Sequence, residues 1–217
     1  MLDIFVFRVV AGVVLVSSFL VFYISNRGRG GRASRHFDPA ATKDVPKALH
    51  ALWAVVAIVV PLTAIILATF LPETVYRTRF NVAFPGDTFV QVAGLGLYIL
   101  GSIFLVSSGK HLGRFMIVDI AVAEDHELVT TGPYARIRHP AYTAVLLLGL
   151  SAVLFLLNLL LVINLLAVFV IATYRARLEE ALLSSEEGFG PEYREYMKRT
   201  GMFLPRLRGM KGPDSRE

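Results

Sequence analysis

The chain has 217 residues, 55% of them hydrophobic and only 18% charged, with a net charge of +5 and no cysteine. Soluble domains carry about 25% charged residues, and the apolar residues here gather in blocks of the roughly 20 residues that one bilayer-spanning helix needs. Without cysteine, a disulfide framework, a thiolate metal site and a cysteine nucleophile are excluded. The basic residues flank the apolar blocks without interleaved aromatic residues, so no nucleic-acid partner is predicted.

Three apolar blocks in the first half of the chain predict membrane spans. The first, at about residues 3–24, begins with Asp3 and is followed by a basic run without a small-residue cleavage motif, so we predict a retained span and not a signal peptide. The second, at about residues 49–71, contains Pro61, which predicts a kink. The third covers about residues 88–107.

The next apolar block, residues 140–174, is too long for one upright helix and slightly short for two full ones. Asn158 and Asn164 fall near its middle, which favours a tight hairpin of two short or tilted helices. A helical pattern continues from Arg175 to about Arg199. We therefore predict an all-α fold, a polytopic membrane helix bundle of about five transmembrane helices, with a tight hairpin for helices 4 and 5 and no Rossmann domain.

Lysine and arginine counts predict the topology. The first loop holds six, the second two, the third four and the tail from Arg175 nine. With five spans and the amino terminus outside, loops one and three and the tail lie together in the cytoplasm. We therefore predict an integral protein of the cell or inner membrane, with its most polar segments and its carboxyl terminus on the cytoplasmic side.

The segment 131–142 joins the third loop to the fourth span. Gly132-Pro133 is a turn signal, and Pro140 suits the first position of a helix, so His139 lies at a helix mouth where free backbone N–H groups attract anions. One interpretation is an interfacial belt that anchors the span at the headgroups. The other is a pocket for an anionic or zwitterionic small molecule. The polar side chains behind the second interpretation are Tyr134, Arg136, Arg138, His139 and Tyr142.

A second charged segment, 175–180, lies where the last span ends. Arg175 and Glu179 share a helical face, and Glu180 turns toward an adjacent one. Charges this close to hydrocarbon are costly unless they are paired or used. A snorkelling arginine with a solvated carboxylate is the structural alternative. Farther on, an apolar stripe on an amphipathic helix predicts either a cover for a site or packing at the membrane interface. Its members are Phe189, Tyr193, Tyr196 and Met197.

Two weaker patterns carry no site. Gly94, Gly96 and Gly101 resemble a dinucleotide fingerprint, but the spacing is wrong and no strand precedes them. We assign them to close helix packing within the third span. The five histidines lack the spacing of metal ligands, so no metal is predicted.

The ordered set of motifs in the second half resembles a known family. It comprises Gly-Pro-Tyr followed by Arg-His-Pro-x-Tyr (132–142), the apolar hairpin, Arg-x-x-x-Glu-Glu (175–180) and an ending from Glu192 to Pro205. This set is similar to that of the isoprenylcysteine carboxyl methyltransferases and of the wider group of membrane methyltransferases, which includes phospholipid methyltransferases. The resemblance covers about residues 110–205.

The resemblance implies a cytosol-facing pocket for S-adenosylmethionine, built without a Rossmann domain. We assign catalytic roles to Arg175, which orients a carboxylate acceptor, and to Glu179 and Glu180, either of which could serve as base for an amine or thiol. The resemblance nominates the two glutamates. It also assigns cofactor binding to His126, Leu128, Val129, Gly132, Tyr134, Arg138, His139, Pro140, Tyr142 and Glu180. In terms of domains, it implies three amino-terminal transmembrane helices (1–107), a methyltransferase-like core (108–205) and a disordered basic tail (206–217).

The function implied is an S-adenosylmethionine-dependent methyltransferase acting on a lipophilic or membrane-embedded acceptor, most like a carboxyl O-methyltransferase. Its partners are a lipophilic or lipidated substrate from the bilayer and membrane lipids. Three alternatives stay open: a phospholipid N-methyltransferase or thiol S-methyltransferase of the same family, a sterol-reductase-like enzyme that uses NADPH, and a non-catalytic membrane scaffold.

Overall fold

The structure is a computed structural model of the chain, and it describes residues 1–26, 39–42, 46–116, 120–123 and 127–206. Most of these residues are helical. In this part of the chain the α-helices are, in order, α1 Ile4–Asn26, α2 Lys47–Phe70, α3 Pro72–Tyr76, α4 Asp87–Leu112, α5 Pro140–Leu156, α6 Leu159–Leu183 and α7 Pro191–Arg199.

Four of these helices, α1, α2, α4 and α6, are long and apolar enough to cross a membrane, and the apolar helix α5 is shorter, with 17 residues. Their outer faces carry large apolar side chains, such as Phe89 with 82% of its surface exposed and Val16 with 71%. A water-soluble protein rarely exposes apolar surface on that scale. The prediction of an all-α, polytopic integral membrane protein is confirmed.

Helices α5 and α6 form the predicted hairpin. The turn consists of Leu157, which adopts the left-handed conformation with φ 50°, and Asn158, whose side chain caps α6 by accepting a hydrogen bond from the Leu160 N–H at 3.0 Å. A side-chain oxygen at this position satisfies one of the free N–H groups of a helix start. Helix α6 continues well past the apolar block, so the charged residues 175–180 extend the membrane helix itself.

The carboxyl end of α5 is closed by polar groups from the second loop and α4. Gln91 Nε2 donates to the Phe155 carbonyl at 2.9 Å, Asn81 Nδ2 to the Leu156 carbonyl at 3.0 Å, and the Val82 N–H to the Leu157 carbonyl at 3.0 Å. The last carbonyls of a helix have no partner within it. Here the three at the turn are each satisfied, which fixes the hairpin on the rest of the bundle.

Glycines allow α4 to approach α5 closely. A Cβ on Gly94 would lie 2.8 Å from the Phe155 nitrogen, and one on Gly101 would lie 3.0 Å from Leu148 Cγ. Gly96 faces open space. Two of the three glycines that we assigned to helix packing therefore serve it, by the mechanism common in membrane bundles.

Helix α2 contains a π-helical turn at Val55–Val59, immediately before the predicted kink residue Pro61. Proline has no N–H, so carbonyls of the preceding turn lose their usual donor. Asn164 of α6 supplies one, because its Nδ2 donates to the Val56 carbonyl at 2.9 Å. The second span is thereby joined to the last one.

The polar loops one and three meet on the same side of the bundle. Strands β1 (Pro39–Thr42) and β2 (Ala121–Ala123) form an antiparallel pair, and residues 137 and 201 form a parallel bridge between the third loop and the end of the chain. This agrees with the predicted grouping of these segments. Which side of the membrane they face stays a prediction.

The helical pattern predicted from Arg175 to Arg199 is interrupted. Helix α6 ends at Leu183, and residues 184–190 form turns before α7 begins at Pro191. The chain reverses tightly there, since a Cβ on Gly188 would lie 2.4 Å from the Leu182 carbonyl oxygen, and Gly190 has φ +55°. Proline at the start of α7 could not have continued the preceding helix.

The predicted division into domains stays a prediction. The boundary between residues 107 and 108 falls within α4, which runs without a break to Leu112. Almost all of the predicted tail, residues 207–217, lies outside the described residues.

Candidate functional site

The site begins with the turn at Gly132–Ala135. Gly132 has φ +58°, and a Cβ there would lie 2.2 Å from Nε2 of His111 at the end of α4. Only glycine accepts this conformation at no steric cost. The turn directs Tyr134 inward, where 6% of its surface is exposed.

His139 and Pro140 form the mouth of α5, as predicted. His139 has non-helical backbone (φ −122°, ψ 61°), and Pro140 takes the first helical position. The Thr143 N–H makes the first helical bond to the His139 carbonyl at 3.1 Å. The N–H groups of the first turn precede any helical acceptor and carry the positive end of the helix dipole. This end of the hairpin therefore suits an anionic group.

The end of the described chain docks beside this mouth. The Arg138 N–H donates to the Gly201 carbonyl at 2.8 Å, and the Gly201 N–H donates to the Arg136 carbonyl at 3.1 Å. The His139 N–H donates to the Met202 carbonyl at 3.1 Å. Thr143 Oγ1 also donates to the Phe203 carbonyl at 2.8 Å. Residues 136–143 are thus held by backbone pairing as well as by their side chains.

Charged side chains cross from this segment to α6. Arg138 Nε donates to Glu180 Oε1 at 2.6 Å, with 10% and 9% of the two side chains exposed. His139 lies between the two glutamates, with Nε2 3.2 Å from Glu180 Oε1 and Nδ1 3.3 Å from Glu179 Oε2. A pair buried to this degree is screened little by solvent.

The charge on His139 follows from its surroundings. Burial lowers the pKa of the His139 imidazole, but the hydrogen bonds and negative charges of Glu179 and Glu180 outweigh it and raise the pKa above the ordinary 6.5. The protonated ring donates to both carboxylates, whereas a neutral ring has one donor. The geometry therefore favours a cationic His139 between two anions.

A second series of contacts runs from Glu179 on α6 through Tyr142 and Arg175 to α2. The Tyr142 hydroxyl donates to Glu179 Oε1, and Arg175 Nε donates to the Tyr142 oxygen at 3.1 Å. Arg175 Nη1 reaches His50 Nδ1 on α2 at 3.3 Å, and its Cζ lies 5.8 Å from the Trp53 ring centroid. Only 2% of Arg175 is exposed, so its charge is held inside the bundle.

These groups surround a cavity of ≈390 Å³, within the range of small-molecule sites. Its polar end carries Arg138, His139, Glu179 and Arg175. Its apolar end extends between the membrane helices. That end is lined by Phe22, Ala57, Ile58, Leu105, Val145 and Leu148.

Most of the predicted site residues lie at this cavity. Gly132, Pro140 and Glu180 lie behind the wall and shape or support it, and His126 lies outside the described residues. The assignment of roles stays a prediction. The predicted residues that line the cavity are Leu128, Val129, Tyr134, Arg138, His139, Tyr142, Arg175 and Glu179.

The aromatic stripe before and on α7 closes one side of the cavity, the first of the two outcomes predicted for it. Phe189, Tyr193 and Tyr196 line the wall, and the Tyr196 hydroxyl donates to the Tyr134 carbonyl at 2.6 Å. Burial raises the pKa of Tyr196 to about 12, so this hydroxyl stays protonated and remains a donor.

The contacts of His50 and Trp53 with Arg175 were not predicted from the sequence. Both come from α2, far from every motif, and their contacts with Arg175 join positions more than 120 residues apart. A tryptophan at the end of an apolar block is typical of the membrane interface, so its position gave no separate signal. Within the described residues, no group of three or more histidine, aspartate or glutamate side chains is arranged to hold a metal ion.

Comparison with known proteins identifies the central region. A sequence model of the isoprenylcysteine carboxyl methyltransferase (ICMT) family matches residues 94–185. These 92 of the 217 residues are similar to that family. The resemblance predicted from the sequence is confirmed, and the matched ICMT region includes the turn, the hairpin and the charged end of α6.

Individual relatives agree with the ICMT match. The protein-S-isoprenylcysteine O-methyltransferases of Homo sapiens and Xenopus laevis are 30% and 28% identical to this chain over 57% of its length. The cobalt-zinc-cadmium resistance protein CzcN of Cupriavidus metallidurans is 39% identical over 41% of the chain. The matches cover 44%, 43% and 40% of these relatives, so the chain spans less than half the length of each of the three.

Proposed function

We propose that this chain is an integral-membrane, S-adenosylmethionine-dependent methyltransferase that acts on a lipophilic or membrane-embedded acceptor. The ICMT match and the printed names of the human and frog relatives support methyl transfer. Carboxyl O-methylation of an isoprenylcysteine-like acceptor is the first choice among the acceptors.

One observation carries the proposal: a single cavity joins a charged end, where α5 begins, to an apolar end between membrane helices. A polar methyl donor and a lipophilic acceptor require such a two-ended site. The polar end lies on the side where loops one and three and residues 200–206 meet. With the amino terminus outside, as the basic residues indicate, this end opens to the cytoplasm.

The residues at the charged end fit S-adenosylmethionine. The α5 mouth beside Arg138 and His139 suits a carboxylate, and Glu179, which faces the cavity, suits an ammonium group. Tyr134 and Tyr193 add aromatic faces, and Leu128 and Val129 add apolar contacts. When bound, S-adenosylmethionine supplies a methyl group attached to a cationic sulfur. A nucleophile bonds to the methyl carbon directly, and the sulfur is the leaving group.

The two glutamates have different tasks in this arrangement. Glu180 accepts from Arg138 and His139 behind the wall and fixes the orientation of both. Glu179 lies in the wall, held by the Tyr142 hydroxyl. A carboxylate acceptor needs no proton removed, whereas an amine or a thiol does. If the acceptor is an amine or thiol, Glu179 is the base.

Arg175 is the residue that we assign to orienting the acceptor. Its buried guanidinium faces the cavity beside Tyr142, and a guanidinium matches a carboxylate in charge and geometry. Alignment of the acceptor with the methyl group and exclusion of water are the main contributions that such a site can make.

Cofactor binding is tested with the purified chain in lipid nanodiscs. We expect calorimetry to show saturable binding of S-adenosylmethionine, at least tenfold weaker binding to Glu179→Ala, and unchanged binding to Glu192→Ala, a variant of an exposed residue on α7. Binding of NADPH in place of S-adenosylmethionine would support the reductase alternative and overturn the proposal.

The acceptor is identified with S-adenosylmethionine carrying a radiolabelled methyl group. N-acetyl-S-farnesylcysteine, vesicles of phosphatidylethanolamine and a long-chain alkanethiol test the carboxylate, amine and thiol acceptors in turn. We expect base-labile label on the farnesylcysteine, as a methyl ester requires. Label on the amine or the thiol would replace the first choice with that acceptor. No label on any of them would contradict methyl transfer to these classes.

A further inference from the structure

The second span reaches the buried arginine of the site. His50 and Trp53 lie on α2, which is outside the region that the ICMT family model matches. Both are within contact of Arg175, and Trp53 also packs edge-on against Tyr142, with ring centroids 5.3 Å apart. These contacts place both side chains against Arg175, the residue that we assign to orienting the acceptor.

The chemistry of these contacts fixes the guanidinium in two directions. A guanidinium only donates hydrogen bonds. His50 Nδ1 therefore accepts from Arg175 Nη1 at 3.3 Å. The Trp53 ring lies 5.8 Å from Cζ, within the distance of a cation–π contact. With Nε donating to Tyr142, Arg175 is held on three sides, and little freedom remains for its planar group.

The second span is itself anchored to the helix that carries Arg175. Asn164 of α6 donates to the Val56 carbonyl in the π turn. Val56, Val168 and Ile171 form a buried cluster against which Trp53 and Leu49 pack. The register of α2 on α6 is therefore set one to two helical turns from His50 and Trp53.

We propose that His50 and Trp53 are positioning residues that aim the Arg175 guanidinium at the acceptor, so that the second span sets acceptor affinity. This rests on the proposed function. His50 is not among the residues that line the cavity and reaches it through Arg175, so we expect its loss to act on the acceptor through that guanidinium.

The test compares variants that keep or remove the acceptor atom at position 50. His50→Phe removes it, His50→Asn keeps an oxygen near the Nδ1 position, and Leu52→Ala is the control on the exposed side of the same helix. With N-acetyl-S-farnesylcysteine as acceptor, we expect His50→Phe to raise its KM about tenfold, with S-adenosylmethionine affinity within twofold of wild type. His50→Asn returns the KM to within threefold, and Leu52→Ala matches wild type.

Equal losses of acceptor and cofactor affinity in His50→Phe, or no rescue by His50→Asn, would overturn the positioning role. A thermal-stability cycle with His50→Phe, Arg175→Met and the double variant tests the contact separately. We expect the double variant to lose less Tm than the two single losses together, and additive losses would overturn the pairing. Absence of methyl transfer in the wild type would instead overturn the proposed function, and with it the positioning role, while the cycle still reports the contact.

Discussion

The two ends of the α5–α6 hairpin are both held by polar side chains, but of different kinds. At the turn, the neutral amides of Gln91 and Asn81 donate to backbone carbonyls of α5. At the open end, the charged Arg138 and His139 both donate to Glu180 next to a cavity. Amides satisfy the backbone without adding a charge to be stabilised. Buried charges cost more, so the open end is the one that the fold stabilises at the greater cost, as the proposed function requires.

Removing Glu180 is the strongest test of that contrast. Glu180→Ala leaves Arg138 and His139 without their shared carboxylate, and breaking a buried pair in this way costs about 3–5 kcal/mol. We expect a large fall in Tm in nanodiscs and a loss of methyl transfer of at least a hundredfold. The matched control is Glu195→Ala, which breaks the exposed pair with Lys198 and should change neither quantity measurably. Full activity of Glu180→Ala would show that the open end is only structural.

Changing the turn end of the hairpin should affect stability alone. Asn81→Ala leaves the Leu156 carbonyl without its donor, at a cost of about 1–3 kcal/mol for a buried unsatisfied group. We expect a lower Tm with unchanged S-adenosylmethionine affinity per folded molecule, measured by calorimetry. A change in affinity at constant Tm would mean that the two ends are coupled and that the contrast fails.

A substitution at Gly132 tests whether the open end needs the positive φ of this residue. Gly132→Ala forces a non-glycine residue into positive φ, which costs about 1–3 kcal/mol, and brings its Cβ against His111. We expect a lower Tm, and the double variant Gly132→Ala with His111→Ala should recover only the part due to the clash. Full recovery would show that the backbone conformation at residue 132 is not strained by alanine.

The smallest expected effect is a pH dependence. The pKa of His139 is raised by Glu179 and Glu180 after burial has lowered it. Its stabilisation is therefore complete below the ordinary value of 6.5 and is lost as the pH rises through the higher folded value. We expect the Tm advantage of the wild type over His139→Gln to be full below pH 6.5 and to shrink as the pH is raised above it. An advantage that is constant or grows with pH would contradict a cationic His139.

The local parts of this architecture followed from the sequence. The length of the block from Pro140 to Tyr174 predicted the hairpin, and the spacing of Arg175, Glu179 and Glu180 predicted that two of them share a face. The ordered motifs predicted the family, which the match to residues 94–185 confirmed. The residues behind these predictions lie within one or two helical turns of each other or follow a fixed order along the chain. Such features can be recognised in the sequence without knowing which distant segments are in contact.

The parts that were missed depend on contacts between distant segments. Pro61 predicted a kink, but not the π turn or the bond from Asn164 to Val56, because helix geometry around a proline depends on the neighbouring helix. The sequence also placed Glu179 and Glu180 on adjacent helical faces without deciding which of them is catalytic. Only the positions of Arg138 and His139 assign one to the wall and the other behind it.

The bridge between Ile137 and Gly201 has a consequence for the synthesis of the protein. Arg138 is translated 62 residues before Thr200, whose carbonyl it binds, which is a delay of roughly 3 to 12 s at the usual ~5–20 residues per second. During that interval the hairpin can already enter the bilayer while the mouth of α5 lacks its backbone partners. Under the proposed function, we expect a chain that stops before Gly201 to insert into the membrane without methyl transfer.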